Sequence, residues 1–566
     1  MNKLWPILVV GLAAILWLAW PQSTTTPLAL PEVIAPPVIS RVAVVPHHDL
    51  VAEQRHQVLT DWSQQLGSVP AIVVLSPDHF GAAGRLPLTT NRVWQTATGE
   101  VKPDVGIDRL LETGRVALDD NAFSREHGIS NLLTDLRGLW PGVPVIPLIL
   151  PASTDVAALV ADLQTVCADC GVLASVDMSH YQPAALATLH DQFTVRALTL
   201  GDDALITQSE VDCPQCLITA RRLAGESVHF VERAHTNSGD LAGNFEAETT
   251  THIIGWFEIG EGSAVASRTM QFGGDVMLGR DIAQKYQANS FGTIWSNLGE
   301  RTFWGVDFSY VNFEAPISTD RSVPTLAANN LRFIAPAVST ELLRNNHINY
   351  AGLANNHTKT WGVKILNQTE QLIKDAGVTP VGRPDEVVTT KLEAAPGRLA
   401  TAVIAVNFVD GPMPGVTEAV QAATAAGDQV VVIPHWGVEY QTIHNREQEA
   451  LAREWITAGA DLIVGGHPHV VQDAQIINGV PVFYSLGNLI FDQYFSVETQ
   501  RGLIVGAVLT EKAVEVTVVP LKEVKGRPEL LRGEERTQRL EPFCTALSAG
   551  AAKADCLRGV FLINKE

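Results

Sequence analysis

The chain has 566 residues, 46% of them hydrophobic, with 40 basic against 61 acidic side chains and a formal net charge of −21. That length is too great for one core and predicts two domains, and the apolar content rules out a disordered chain. No basic run occurs in it, which argues against nucleic acid as a partner, because phosphate neutralisation needs clustered Lys and Arg.

Residues 4–20, LWPILVVGLAAILWLAW, carry no charge and follow Lys3. Such a run is at the short end of what spans a bilayer. The positive residue before it puts the amino terminus in the cytoplasm and the bulk of the chain outside the cell membrane. No A-x-A cleavage site follows at once, so a single-pass, uncleaved signal anchor (residues 1–20) is preferred to a removed signal peptide. Residues 21–39 are rich in Pro and Thr and predict an extended tether. Six cysteines fit an oxidising compartment: Cys167 and Cys170, Cys213 and Cys216, Cys544 and Cys556. The last two would staple the carboxyl-terminal tail. The two CxxC pairs could instead form a four-thiolate zinc site, although outside the membrane disulfides are favoured, with connectivity open.

Residues 40–262 form the first predicted domain. Strand-like runs at 42–45, 71–75, 145–150 and 172–176 alternate with helical patterns at 155–166 and 183–200. This is the signature of an α/β sheet layered with helices. Polar residues gather at the strand ends: Pro46-His47-His48, Ser76-Pro77-Asp78-His79 and Asp177-Met178-Ser179-His180-Tyr181, with Arg125-Glu126-His127-Gly128 between them. One such turn alone is ordinary loop decoration. Several converging at one sheet edge suit a metal or small-molecule pocket.

These blocks, with the later HTNSGD and THIIGWFEI, resemble the Memo-like family, also called AmmeMemoRadiSam system protein B, over about 220 residues. That family is similar in fold to class III extradiol dioxygenases, whose histidines hold a non-haem iron. The resemblance implies that His47, His79 and His180 face a pocket, with Glu126, His127 and Asp177 beside them, and that a metal could bind there. Some members have Cys where this chain has Ser179, which removes a soft ligand. No reaction is implied for this half.

Residues 266–525 form the second predicted domain, again α/β. Runs at 269–272, 306–313, 348–353, 429–433 and 462–464 lead into ligand-type residues. These are Gly273-Gly274-Asp275, Asn312 and Glu314, Asn355-Asn356-His357, Pro434-His435, and Gly465-Gly466-His467-Pro468-His469. Carboxylates, an amide and imidazoles at successive strand ends suit Zn, Mn or Fe. Two such ions would polarise a phosphoryl or similar group and generate a hydroxide near neutral pH.

The order Asp, Asn-x-Glu, Asn-His, His, His-x-His resembles the calcineurin-like metallophosphoesterase superfamily. More closely, GGDVMLGR, NFEAPI, GLANNHTKTWG, IPHWGVEY, GGHPHVVQ and VFYSLGNLIFDQ resemble the capsule-synthesis CapA family, named for poly-γ-glutamate formation. The resemblance makes Asp275, Glu314, Asn356, His435, His467 and His469 metal ligands. It makes His357 the catalytic acid, acting with Asp275, and puts Asn488 and Asp492 on the substrate side. Where the wider superfamily has Asp-x-His, this chain has Asp275-Val276-Met277, so one of two metal sites is short of a donor.

Residues 526–566 read as a charged tail with a short helix around 533–540. The whole predicts a membrane-anchored, extracytoplasmic, metal-dependent hydrolase. It would act in the synthesis or release of a surface polymer, poly-γ-glutamate or a polysaccharide, with capsule-synthesis subunits as partners. The rival reading is a polymer-binding assembly or export subunit without turnover.

Overall fold

A strand at Ile39–Val45 begins the described part of the molecule. The structure, a computed structural model, describes residues 38–262, 264–286, 288–319, 330–547 and 551–565. The expected anchor and nearly all of the tether lie outside these residues. Among the described residues no helix is long and apolar enough to cross a membrane.

Ile39–Val45 lies inside a nine-stranded sheet, parallel to Gly171–Ser175 and antiparallel to Thr249–Ile259. Ile72–Pro77 and Val145–Leu150 extend it in parallel. These strands are apolar at nearly every position because both faces are covered. Val42, Val44, Val73, Leu75, Ile146 and Leu148 pack on one side, and Ala43, Val45, Ile72, Val74 and Ile149 on the other. The crossover helices form where the pattern places them. Val156–Cys167 starts under the Asp155 side chain, which accepts from the Ala158 amide, and Ala184–Leu200 ends at Gly201 in the left-handed region.

Among the described residues, the later half is built on two large sheets, beside the small pair Ile317–Ser318 and Ala335–Pro336. One has nine strands, with the order Thr379–Val381, Tyr350–Gly352, Phe308–Phe313, Ser267–Val276, Arg501–Thr510, Ala513–Val524, Arg527–Leu530 along its main path. The other has six, Val388–Leu392, Thr401–Asn407, Gln429–His435, Leu462–Val464, Val480–Phe483 and Ala474–Ile477. They share one core: Met270, Phe272, Phe308 and Val505 from the first meet Val403, Val431, Leu462 and Phe483 from the second. Face-to-face packing of this kind brings strand ends from two sheets to one place.

Two expectations change here, and one choice left open is settled. The strand expected at 269–272 runs on through Gly273-Gly274-Asp275, because Ser267–Val276 stays paired with Phe308–Phe313 and Asn488–Ile490 as far as Val276. Gly274 makes this possible: a Cβ there would lie 2.0 Å from the Gly487 carbonyl oxygen. The tail is longer in helix than expected and is packed. Its helix runs Gly533–Leu547, and Val560–Asn564 pairs with Ala513–Val524, so Leu540, Phe543 and Ile563 join the core between the sheets. Finally, the cysteines pair as Cys167–Cys170, Cys213–Cys216 and Cys544–Cys556, which removes the zinc alternative.

From Ile39 onward the chain is one compact unit. The helix Ala184–Leu200 of the first half packs on the second through Leu189 against Val306 and Val508. Arg196 Nη2 donates to Asp307 Oδ2 at 2.6 Å, both side chains being at most 4% exposed.

Candidate metal centre

In the second half the donors come from the carboxyl ends of five strands, three from one sheet and two from the other. Asp275 ends Ser267–Val276, Glu314 follows Phe308–Phe313, and Asn355-Asn356-His357 follow Tyr350–Gly352. His435 ends Gln429–His435, and His467 and His469 follow Leu462–Val464. The turn carrying the last two is close to its neighbour: a Cβ on Gly465 would sit 2.2 Å from the Tyr484 carbonyl oxygen. Both histidines have left-handed backbones, φ 95° at His467 and 56° at His469. Such strain in side-chain-bearing residues persists where the surroundings enforce it. Here the His467 amide donates to Asp275 Oδ2 at 3.2 Å.

Glu314 is the centre of the group. It is fully buried, and its Oε1 has no hydrogen-bond partner. Around that oxygen stand His357 Nε2 at 3.7 Å, His469 Nε2 at 3.7 Å and His435 Nε2 at 3.8 Å. These separations exceed a hydrogen bond. They are close to the ~3.4 Å between two donors that each lie ~2.1 Å from one tetrahedral ion. His467 Nδ1 is likewise buried without a partner. Asp275, Glu314 and His469 offer atoms that all lie within 4.8 Å of one another, as do Glu439, His467 and His469. Asn356 Oδ1 lies 3.0 Å from His435 Nε2. The donor set is that of Zn, Mn or Fe, and the unpartnered buried atoms are those that an ion would satisfy.

The electrostatics agree. Burial pushes the Glu314 carboxyl well above the usual range. Burial also opposes charge on His469, but Glu314 and Asp275 outweigh it and raise that imidazole to about 9. His435, His467 and His357 are pushed down by burial and by neighbouring imidazoles, His467 to about 4 and His357 to about 3. They are therefore neutral at pH 7, the form that binds metal. His357 stacks on Phe333 at 3.9 Å, which fixes its ring.

Other predicted residues act through neighbours. Asn488 is fully buried, and its Oδ1 stands 3.1 Å from His469 Nδ1, fixing which nitrogen faces the centre. Asp492 is ion-paired with Arg280, whose guanidinium lies over Phe333. Met277 is in the core, and its sulfur accepts from the Gly279 amide at 3.1 Å. The residue that sequence reasoning missed is Glu439, while the expected amides Asn312 and Asn355 stand behind the ligands. Asn312 Nδ2 donates to Asp275 Oδ1 at 2.7 Å, and Asn355 Nδ2 donates to Asn312 Oδ1 at 3.0 Å. Glu439 sits inside the IPHWGVEY block, and its carboxylate was the available signal.

In the first half the strand ends bring together His47, His79, His127, Glu126 and Asp177. His79 stacks on His127 at 4.0 Å and stands edge-on to His47 at 4.8 Å. His79 Nδ1 lies 2.6 Å from Glu126 Oε1, and His47 Nε2 lies 3.2 Å from Asp177 Oδ2. Asp212, from the loop before the helix Pro214–Ala224, completes the cluster, 3.5 Å from His47 Nε2 and 3.7 Å from His79 Nε2. No signal in the sequence pointed to it. Burial lowers His79, but Asp212 and Glu126 outweigh it and raise it to about 9, whereas burial takes His47 down to about 4. His47, His79 and His127 could hold a cation, as could His47, Asp177 and Asp212. His180 belongs to neither group: its amide donates to Glu210 Oε1 at 2.9 Å. Ser179 Oγ also donates to Glu210 and so turns away from the histidines.

Two facing sheets with carboxylate, amide and imidazole donors at their strand ends define a metallophosphoesterase-like α/β domain, here preceded by a second α/β domain with its own histidine cluster. The chain matches the family "Bacterial capsule synthesis protein PGA_cap" over residues 269–493 and "Memo-like protein" over residues 31–210. It is 30% identical over 284 residues to "Capsule biosynthesis protein CapA" of Bacillus anthracis, covering 46% of this chain and 69% of that protein. It is 29% identical over 278 residues to "PGA biosynthesis protein CapA" of Bacillus subtilis, covering 45% and 72%. It is 25% identical over 198 residues to a "MEMO1 family protein" of Pyrobaculum arsenaticum, covering 31% and 69%. The chain belongs to the CapA capsule-synthesis family and carries a Memo-like domain fused ahead of its CapA domain.

Proposed function

We propose that this protein is an extracytoplasmic, membrane-anchored, metal-dependent hydrolase. It acts on a surface polymer, poly-γ-glutamate or a polysaccharide, during capsule synthesis or release, beside other capsule-synthesis subunits. The Memo-like domain is taken as residues 40–262 and the CapA-like domain as 266–525. The observation that carries the catalytic reading is the convergence of three imidazole nitrogens on the buried, unpartnered Glu314 Oε1. Asp275, Glu314 and His469 would hold one divalent ion, and Asn356, His435 and His467 a second. Such ions supply Lewis acidity and lower the pKa of water toward neutrality. The chain's own residues then orient and exclude. Asn488 fixes the His469 ring, Asn312 holds Asp275, and Phe333 keeps His357 beside Glu314, where its N–H can reach a leaving group. For location, the charge-free run at 4–20 supports an anchor, and the pairing of all six cysteines supports an oxidising compartment.

The test is elemental analysis of the purified full chain beside a His467→Ala/His469→Ala variant, with hydrolysis of capsule polymer followed in both. About two divalent ions per chain, falling to one or none with loss of turnover, is the expected result. A wild-type protein that takes up no Mn or Zn ends the catalytic reading. The assembly-subunit reading draws on Met277, whose sulfur is turned into the core and leaves the Asp275 group a donor short. Polymer binding that survives in the double variant, without turnover in either protein, would favour it.

A further inference from the structure

Three donors, Asp275, Glu314 and His469, make an incomplete shell for an ion that prefers four. The strand that carries Asp275 cannot supply the fourth. Two residues on, Met277 is fully buried among Val276, Leu278 and the surrounding core, and its sulfur is engaged by the Gly279 amide. On the opposite sheet, the turn after Gln429–His435 carries a further carboxylate, beside the histidine turn. An oxygen of Glu439 lies within 4.8 Å of ring nitrogens of both His467 and His469, the residues that face the two halves of the centre. His467 Nδ1, buried and without a partner, is the atom that this arrangement leaves waiting for an ion.

The backbone holds Glu439 there. Gly437 has φ 90° and Tyr440 φ 64°, so the turn is left-handed at both ends of Val438-Glu439. For an aromatic residue that conformation is strained and must be held by its surroundings. The Tyr440 amide donates to the Pro468 carbonyl at 2.8 Å, between the two histidines of the ligand turn. Glu439 is thus tethered to the His467-Pro468-His469 loop itself, while its side chain stays exposed on the open side of the centre.

We propose that Glu439 is a metal ligand. With His467 and His469 it makes a three-donor group of its own, which shares His469 with the Asp275 and Glu314 group. This rests on the metal-centre reading above. An exposed carboxylate on the open side also leaves that shell able to loosen for substrate without disturbing the buried ligands.

The test uses the full chain and Mn(II) alone, read by metal count and by electron paramagnetic resonance. Wild type is expected to bind about two Mn(II) per chain with an exchange-coupled signal. In Glu439→Gln one ion should be lost or bound at least about tenfold more weakly, leaving the six-line signal of an isolated Mn(II), with the thermal unfolding of the metal-free chain unchanged. Glu439→Asp should fall between, and Glu447→Gln, on the helix Arg446–Ala458, should match wild type. A Glu439→Gln protein with the stoichiometry, affinity and coupling of wild type overturns the proposal and leaves the metal centre standing. A wild type that binds no Mn(II) removes both.

Discussion

The two halves place histidines and carboxylates at the carboxyl ends of parallel strands, yet the two clusters are in opposite electrostatic condition. In the first, the polar groups answer one another: Glu126 bonds the raised His79, Asp177 stands 3.2 Å from the neutral His47, and Asp212 lies against both imidazoles. Asp212 Oδ1 is the oxygen there without a partner. In the second, Glu314 and the rings around it are too far apart to bond one another and too buried to reach water. Like residue types therefore do not imply like sites. A buried polar group without a partner costs ~1–3 kcal/mol, so the second cluster is the one whose geometry demands an ion.

The largest effect should come from separating the halves. Arg196→Ala leaves Asp307 buried with only Arg268 at 3.9 Å and the Thr269 donors to answer its charge, and should cost about 3 kcal/mol in denaturant unfolding. If the two clusters belong to one cooperative body, a single transition shifts; two separate transitions would show that they are independent. Next, Glu314→Gln should cut polymer hydrolysis and metal occupancy on the order of 100-fold, while Glu126→Gln leaves hydrolysis within about twofold, since a ligand outweighs the 10–100-fold usual for supporting residues. Equal losses would erase the contrast drawn above. Asn488→Ala, which frees the His469 ring without removing a ligand, should weaken metal binding by about 10–100-fold in a calorimetric titration.

The smallest effect concerns pH in the charge-paired half. Burial lowers His235, but its 2.7 Å contact with Asp191 outweighs that and raises the imidazole above its usual value. Its contribution to stability is then complete below about pH 6.5. It is lost as pH rises through the raised value. His235→Gln should flatten the stability–pH curve on that side of neutrality, and an unchanged slope would show that the pair is not charged.

The sequence told most where pattern and chemistry are local. The runs at 145–150 and 462–464 are strands with those bounds, because an apolar run of that length buried on both faces has few alternatives. The helix at 155–166 was legible for the same reason, with Asp155 as its cap. The ligand blocks were legible as blocks, since each stands just past a strand. Glu439 and Asp212 were not. Each is a single carboxylate on an irregular loop, and nothing local separates it from an ordinary solvated acid. The strand through Gly273-Gly274-Asp275 was not legible beyond 272, because two glycines end most apolar runs, whereas Gly274 is there for the approach of another backbone.

By itself the sequence determined that this is a two-part α/β chain and which residue types can bind metal. Those are consequences of spacing along the backbone. Only the tertiary structure decided that the second half is two facing sheets, that the tail closes their shared core, and that Met277 points inward while Glu439 stands beside His467 and His469. Sheet membership and side-chain direction are fixed by contacts between residues far apart in the chain, and periodicity along the chain carries no record of them.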